Sequence, residues 1–387
     1  MSNRTRKNRY ELRKKYRRRR LIAFFSTLII LLVALFVGIS WWATKEKVAE
    51  PVTPKATAKK EPKQVEKPKQ PEQTKEIVRN QEIDNYLKQI GFSGTAVVVR
   101  EGNTVLNKGY REANRITHVK NTPDTVYYIG SAQKAFIATA ILQLEEKGKV
   151  KVTDSVQKYL PEFKAHITLN DLLHHTSGLV GHTEENAATT PKALVADIIK
   201  QGTKRGPGKW DYLDSNYTVL AYLVEKLSGE SLSEYLKENI FKPAGMKRVG
   251  FYQTFKKEKG ASVGYYIKKD GSYSEPSLPD LSQLFGVGNM YMSAFDMYLF
   301  DKALSSRKIL SENSFQKMFT KGSSSGYGMG FYVDPGSYNN HGILNGWNVS
   351  NSMSHTGKTY VVLFSNIQNN IDSFGKVNNH IYEILNR

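Results

Sequence analysis

TPDTVYYIGSAQKAF, residues 122–136, is the stretch on which the fold turns. A turn-prone Thr-Pro-Asp opens it, and the strand-like apolar run Val126 to Ile129 follows. Gly130 breaks that run, and from Ser131 the pattern turns helical. AFIATAILQLEEKGKV (135–150) carries the helix on, with Ile137, Ile141 and Leu144 at i, i+4 and i+7. Ser131 and Lys134 therefore share one helix face, a turn apart. An ammonium beside a serine hydroxyl stabilises the alkoxide, or accepts its proton if its own pKa is lowered. Unpaired N–H groups at the helix start add positive potential. Ser-x-x-Lys recurs at Ser155/Lys158, Ser305/Lys308, Ser314/Lys317 and Ser373/Lys376, so spacing alone does not select a nucleophile. Ser131 stands between a strand-like run ending in glycine and a long apolar helix. The others read as helix caps or surface turns.

Outward from that stretch, GTAVVVREGNTVLNKGY (94–110) reads as two strands joined at Glu101-Gly102-Asn103. TVLAYLVEKLSGESLSEYLKENI reads as two helices broken at Gly229, TYVVLFSN as a late buried strand, and VNNHIYEILNR as a closing helix. Strands at both ends with helices between predict an α/β (α+β) domain, its antiparallel sheet assembled from the N- and C-terminal pieces.

The N-terminal region differs in kind. Residues 1–80 hold 21 Lys/Arg against 7 Asp/Glu, a charge of +14 out of the total +20. The basicity is thus not a nucleic-acid footprint of the globular part, and no nucleic-acid partner is expected. Residues 1–20 form a basic cytoplasmic segment. Residues 21–43 carry no charge and would span roughly 34 Å as a helix, against a bilayer core of about 30 Å. Trp41 and Trp42 suit the far interface, and the arginines hold the N-terminus inside. The segment is long for a cleaved signal peptide and reads as a transmembrane signal anchor. Residues 44–80, rich in Lys, Pro, Glu and Gln, read as an extended linker. Residues 81–387 then form an extracellular domain. The chain has no cysteine, which excludes disulfides, thiolate metal sites and cysteine nucleophiles. Neither a Gly-rich nucleotide loop nor clustered metal ligands appear, so no metal or other cofactor is expected.

Three further segments accompany Ser131 and Lys134. LNDLLHHTSGL (169–179) is an amphipathic turn ending in a tight glycine turn. GKWDYLDSNYTVLAYLVEKLSG (208–229) places Tyr212 and Asp214 just ahead of a helix. FGVGNMYMSAFDMYLF (285–300) reads as a Gly-rich turn entering a helix. In order and spacing these resemble the class C β-lactamase and penicillin-binding protein family, from about residue 90 to the end. That resemblance implies a serine β-lactamase/transpeptidase-like fold with an added all-helical subdomain. It implies Ser131 as acylated nucleophile, Lys134 as its partner and Tyr212 as the general base or acid. It implies structural roles for His174 and His175. The family's third box, Lys/His-x-Gly followed by Gly-aromatic, fits Asn340-His341-Gly342 with Gly346-Trp347 better than His355-Thr356-Gly357. The Ile343 and Ser131 N–H groups would then form the oxyanion hole.

Two departures bear on substrate. The family's Tyr-x-Asn is Tyr212-Leu213-Asp214, and a carboxylate near Lys134 favours the charged ammonium. The third box carries Asn340 where a cation usually leads. Both changes disfavour a substrate ending in carboxylate and suit one with a free ammonium. The chain resembles the FmtA-like teichoic-acid D-alanyl esterases, which implies D-alanylated teichoic or lipoteichoic acid as substrate. A peptidoglycan stem peptide, processed by a D,D-carboxypeptidase or a β-lactamase-like enzyme, is the alternative. An inert wall-binding protein on the same fold is the non-enzymatic one.

Overall fold

The turn at Glu101-Gly102 sets the register of the sheet. Both residues have positive φ, 48° and 76°, as a two-residue hairpin turn requires. The turn pairs β2 (Gly94–Arg100) with β3 (Asn103–Tyr110), starting at Arg100 opposite Asn103. In the computed structural model, which describes residues 74–183 and 185–387, these strands join a seven-stranded antiparallel sheet. Its order is β1-β3-β2-β10-β9-β8-β7. The other members are β1 (Ile77–Val78), β7 (Tyr332–Val333), β8 (Ser337–Leu344), β9 (Trp347–Ser354) and β10 (Thr359–Ser365). β10, the late buried strand, docks on β2 from Thr359 opposite Arg100 to Ser365 opposite Gly94. An early and a late strand of the described residues thus meet in the middle of the sheet.

Strand alternation divides the interior into two cores. Ala96, Val98, Val361 and Leu363 face Ile83 and Leu87 of α1 (Gln81–Gln89) and Ile381 and Leu385 of α7 (Phe374–Asn386). Val97, Val99, Val362 and Phe364 face the larger core. That core centres on α2 (Lys134–Glu146), buried from Lys134 to Leu144 and therefore apolar nearly all round. Around it pack α3 (Leu169–Leu173), α4 (Pro191–Gln201), α5 (Asp214–Ser228), which ends at a left-handed Gly229, and α6 (Ala294–Ser305). Phe136 of α2 stacks on Phe300 of α6 at 3.9 Å.

Two boundaries differ from the sequence reading. Ile77 and Val78 pair with Asn107 and Leu106, and the Asn80 side chain caps α1 by accepting from Ile83 N–H at 3.0 Å. Residues 77–80 thus belong to the folded unit rather than to the linker. Backbone pairing recruits them, and composition does not register it. Residues 285–300 do not run from glycine turn into helix. β6 (Met290–Ser293) intervenes, between β4 (Val126–Tyr128) and β5 (Val249–Phe251). Its partners lie far away in the chain, which hides it from local pattern. The segments read as basic tail and membrane anchor, and the linker up to residue 73, lie outside the described residues. Among the described residues no helix is long and apolar enough to cross a membrane.

Candidate active site

β4 delivers the chain to Gly130, whose φ is +50°. A Cβ there would sit 2.4 Å from the Ile343 carbonyl oxygen and 2.7 Å from its nitrogen, so only glycine lets this turn lie against β8. Residues Gly130–Gln133 form a 3₁₀ turn before α2 begins at Lys134. Side chains three apart eclipse on such a turn. The Lys134 ammonium accordingly donates to Ser131 Oγ at 2.8 Å. Gln133, which sequence reasoning passed over, clamps the turn from behind. Its Oε1 accepts from Asn289 N–H and Met290 N–H at 2.8 and 3.2 Å, and its Nε2 donates to Asn289 Oδ1 at 3.0 Å.

Lys134 is fully buried and makes a second contact, 2.7 Å to Asp214 Oδ1 in the first turn of α5. Its nitrogen also lies 4.9 Å from the centre of the Tyr212 ring. Burial works against its charge, but Asp214 and then Tyr212 outweigh it, and its pKa is raised above the usual lysine value. Lys134 is therefore an ammonium at neutral pH, as the Tyr-x-Asp departure led us to expect.

His175 holds the Tyr212 loop. Its Nδ1 accepts from Leu213 N–H at 3.2 Å and Asn216 Nδ2 at 3.0 Å, and its ring packs on Tyr212 at 4.3 Å. Burial, with the nearby Lys134 charge, keeps the imidazole well below its ordinary pKa and neutral. The His174 ring nitrogens lie 2.9 and 3.2 Å from the Asn170 and Thr320 carbonyls. Both histidines pack loops.

On the opposite wall Asn340, His341, Gly342 and Ile343 line β8. β7 pairs only with Tyr338 and Asn339 of β8, which leaves the edge from Asn340 onward to face the nucleophile turn. A Cβ at Gly342 would fall 1.8 Å from the Ile129 carbonyl oxygen. The two glycines together allow the Ile343 backbone to approach Ser131. Ser131 is the second residue of its turn, where N–H groups lack intrahelical partners. His341 Nε2 donates to Asn348 Oδ1 at 2.6 Å, and desolvation by the cleft walls lowers its pKa against that bond. Asn340 is 4 % exposed, and among the described residues neither of its side-chain polar atoms has a partner. His355-Thr356-Gly357 lies in the β9–β10 turn and lines neither cavity at Ser131.

Ser131 and Tyr212 stand on the boundary of two open cavities. One, of about 230 Å³, is walled by Tyr327, Gly330, Tyr332, Asn340, His341 and Ile343. The other, of about 580 Å³, is walled by residues including His182, Glu185, Asp214 and Leu284. Tyr327 and Tyr332 were not foreseen. Their one signal is the glycine- and aromatic-rich run GYGMGFY (326–332), in which a Cβ on Gly330 would meet Ala135 Cα at 2.6 Å.

A serine at the start of a buried helix, a lysine one turn on and an antiparallel sheet edge across the cleft define a serine hydrolase of the β-lactamase and penicillin-binding protein class. The chain belongs to the beta-lactamase family, whose model matches residues 79–386. It is 53% identical over 382 residues to PbpX of Bacillus subtilis (strain 168), named among penicillin-binding proteins, covering 96% of this chain and 97% of that one. It is 30% identical over 340 residues to the teichoic acid D-alanine hydrolase of Staphylococcus aureus (strain MRSA252), covering 83% and 85%. The crystal structure of FmtA from Staphylococcus aureus superposes with a TM-score of 0.74 at 31% identity, covering 82% of this chain and 93% of that one.

Proposed function

We propose that this chain is a membrane-anchored, extracellular D-alanyl esterase, releasing D-alanine from teichoic or lipoteichoic acid through an acyl-enzyme on Ser131. The observation that carries the reading is the Lys134–Asp214 pair, 2.7 Å apart beside the Ser131 hydroxyl, opposite a third box led by Asn340. A carboxylate has been added and a cation is missing where a carboxylate-terminated substrate would need the reverse. An acyl group bearing an ammonium meets neither obstacle.

The proposed chemistry is acyl transfer through Ser131. Ser131 Oγ attacks the ester carbonyl, and its proton passes to the Tyr212 oxygen. The Ile343 and Ser131 N–H groups receive the charge that develops on the carbonyl oxygen. The Lys134 ammonium offsets negative charge on whichever oxygen, serine or phenol, carries it. The C–O bond to the alcohol then breaks, and Tyr212 returns the proton to the departing alkoxide. Water repeats the cycle on the acyl-enzyme and frees D-alanine and Ser131. Membrane attachment rests on the 21–43 segment.

The test is release of D-alanine from D-alanylated teichoic acid by purified protein, with Ser131→Ala as control. No release by the wild type rejects the reading. The 53% identity to PbpX favours one alternative, a D,D-carboxypeptidase. Turnover of a D-Ala-D-Ala peptide, or rapid acylation by penicillin, would select it.

A further inference from the structure

Three features gather at one end of the sheet. β3 ends there at Tyr110, opposite Gly94, and Gly94 lies opposite Ser365, the last residue of β10. The chain enters the folded unit at this end. Gly109 N–H donates to Glu76 Oε1 at 3.2 Å, and Thr74, the first described residue, donates its N–H and its hydroxyl to the Asp124 carboxylate at 2.8 and 2.6 Å. The β8–β9 turn, which ends the strand walling the cleft, lies here too, since Asn348 stands opposite Ser365. The third feature leaves the end of β3 as a short hairpin, Glu112–Asn114 paired with Val119–Lys120.

The hairpin tip carries apolar surface. Ile116 is 75 % exposed and Val119 50 %, the two most exposed large apolar side chains among the described residues. The Asn114 side chain accepts from Ile116 N–H and Thr117 N–H at 2.9 and 3.0 Å, which fixes the turn and holds Ile116 out in solvent. Cations surround the pair: Arg111, Arg115, His118 and Lys120, with Glu112 the single acid between 111 and 120. Glu112 is shared among His118, Lys120 and Arg115, at 3.1, 3.3 and 3.9 Å. Arg115 stacks on the Tyr273 ring at 3.6 Å and sets a second hairpin, Tyr266–Ile267 with Tyr273–Ser274, beside the first. That hairpin adds the exposed Lys268 and Lys269, against Asp270 and Glu275. Lone apolar side chains are ordinary on a surface, whereas two on one fixed tip among cations match the interface of a bilayer.

We infer that this hairpin is a second membrane contact, at which Ile116 and Val119 enter the headgroup layer of an anionic phospholipid bilayer while the basic side chains pair with lipid phosphates. The inference rests on the reading of residues 21–43 as an anchor. Two aliphatic side chains and a few cations bind a membrane weakly on their own. On a chain already anchored, the tip meets lipid at an effective concentration on the order of millimolar, and weak docking then suffices. The tip is also joined to the cleft. Arg115 N–H donates to Tyr265 Oη at 2.9 Å, and Tyr265 N–H donates to the Gly346 carbonyl in the β8–β9 turn at 3.2 Å. Docking therefore holds the rim of the cleft near the lipid surface, and the enzyme works on ester groups close to the membrane.

The experiment uses the full chain reconstituted in vesicles. The chain has no cysteine, so Thr117→Cys places a single thiol on the tip without removing an apolar residue. A nitrobenzoxadiazole label there is followed against lipids spin-labelled near the headgroup. Lys358→Cys carries the control label, on the exposed β9–β10 turn at the opposite end of the sheet, where Thr359 faces Arg100. In vesicles of phosphatidylglycerol and phosphatidylcholine, quenching at 117 should exceed that at 358 by about threefold. Ile116→Asp and Val119→Asp should each bring it down to the control level, as should phosphatidylcholine alone. Equal quenching at the two labels overturns the contact, and so does quenching unchanged in both aspartate variants. Quenching as strong in phosphatidylcholine alone overturns the assignment to anionic lipid. A label at 117 that responds to soluble poly(glycerol phosphate) and not to lipid gives the tip to a wall polymer and overturns the proposal. Release of the protein from the vesicles by alkaline carbonate would strike instead at the anchor, and that wash tells the two failures apart.

Discussion

Lys134 and Asp214 meet at 2.7 Å although the lysine has no access to solvent. The pair decides the protonation state of the group beside the nucleophile. Burial alone would push a lysine toward neutrality, and here the carboxylate reverses that outcome. Because the folded pKa lies above the unfolded one, the pair stabilises the fold fully below the unfolded lysine value of about 10.4. That stabilisation is lost only as pH rises through the folded value. In Asp214→Asn burial prevails and the lysine pKa falls. The alkaline limb of kcat/KM should therefore move to lower pH by about 1–3 units. A pH–rate profile superimposable on the wild type would exclude this role for Asp214.

Tyr212→Phe keeps the ring on His175 and removes only the hydroxyl. We expect kcat to fall by about 10²–10⁴-fold, the usual contribution of a positioned acid–base group. Thermal unfolding should stay near that of the wild type. Steady-state turnover of D-alanine methyl ester measures the first, and calorimetry the second. Retention of most activity would remove the phenol from the mechanism.

Gly342→Ala puts a methyl where the Ile129 carbonyl oxygen already lies, 1.8 Å from the new carbon. The strand must back away from the nucleophile turn and carry the Ile343 N–H with it. Loss of one oxyanion donor costs about 10²–10³ in kcat. Acylation by a fluorophosphonate probe, timed against the wild type, is the measurement. Unimpaired acylation in a folded variant would place the oxyanion hole elsewhere.

Asp301 is fully buried, its only side-chain hydrogen-bond donor among the described residues being Asn351 Nδ2 at 3.1 Å, and burial pushes its pKa up to about 8. It folds protonated at neutral pH. The unfolded carboxyl ionises near 4, so stability is full below that pH and is lost as pH rises from about 4 through about 8. Asp301→Asn should raise stability at pH 8, on the order of 3 kcal/mol, and change it little at pH 4. Urea unfolding at both pH values tests this. An equal effect at the two would refute it.

How much of this was legible beforehand depends on the range of the interaction. The hairpin at Glu101-Gly102, the helix after Gly130, the stop at Gly229 and the closing helix all follow from neighbours within a few residues, and all were readable. So was the meeting of Ser131 with Lys134, because helical spacing brings positions three apart together. Choosing Asn340-His341-Gly342 over His355-Thr356-Gly357 needed the Gly346-Trp347 spacing, and the structure puts the first set at the cleft and the second in a remote turn. Residues 77–80, β6, Gln133, Tyr327 and Tyr332 stayed hidden. All but Tyr332, which pairs with nearby Asn339, owe their place to a partner distant in the chain, and a local pattern holds no record of such a partner.

From the order of residues alone came the chemical inventory: one serine at a helix start with a lysine a turn away, a tyrosine and an aspartate ahead of another helix, and a glycine-bearing strand late in the chain. Tertiary structure decided their states. It buried Lys134 against Asp214, so that the amine is charged. It set β8 against the nucleophile turn through two glycines, and it left the Asn340 amide without a partner among the described residues. The physical reason is that a pKa or an unmet hydrogen bond depends on what surrounds a group in space, and those surroundings are assembled from strands and helices that the chain keeps far apart until it folds.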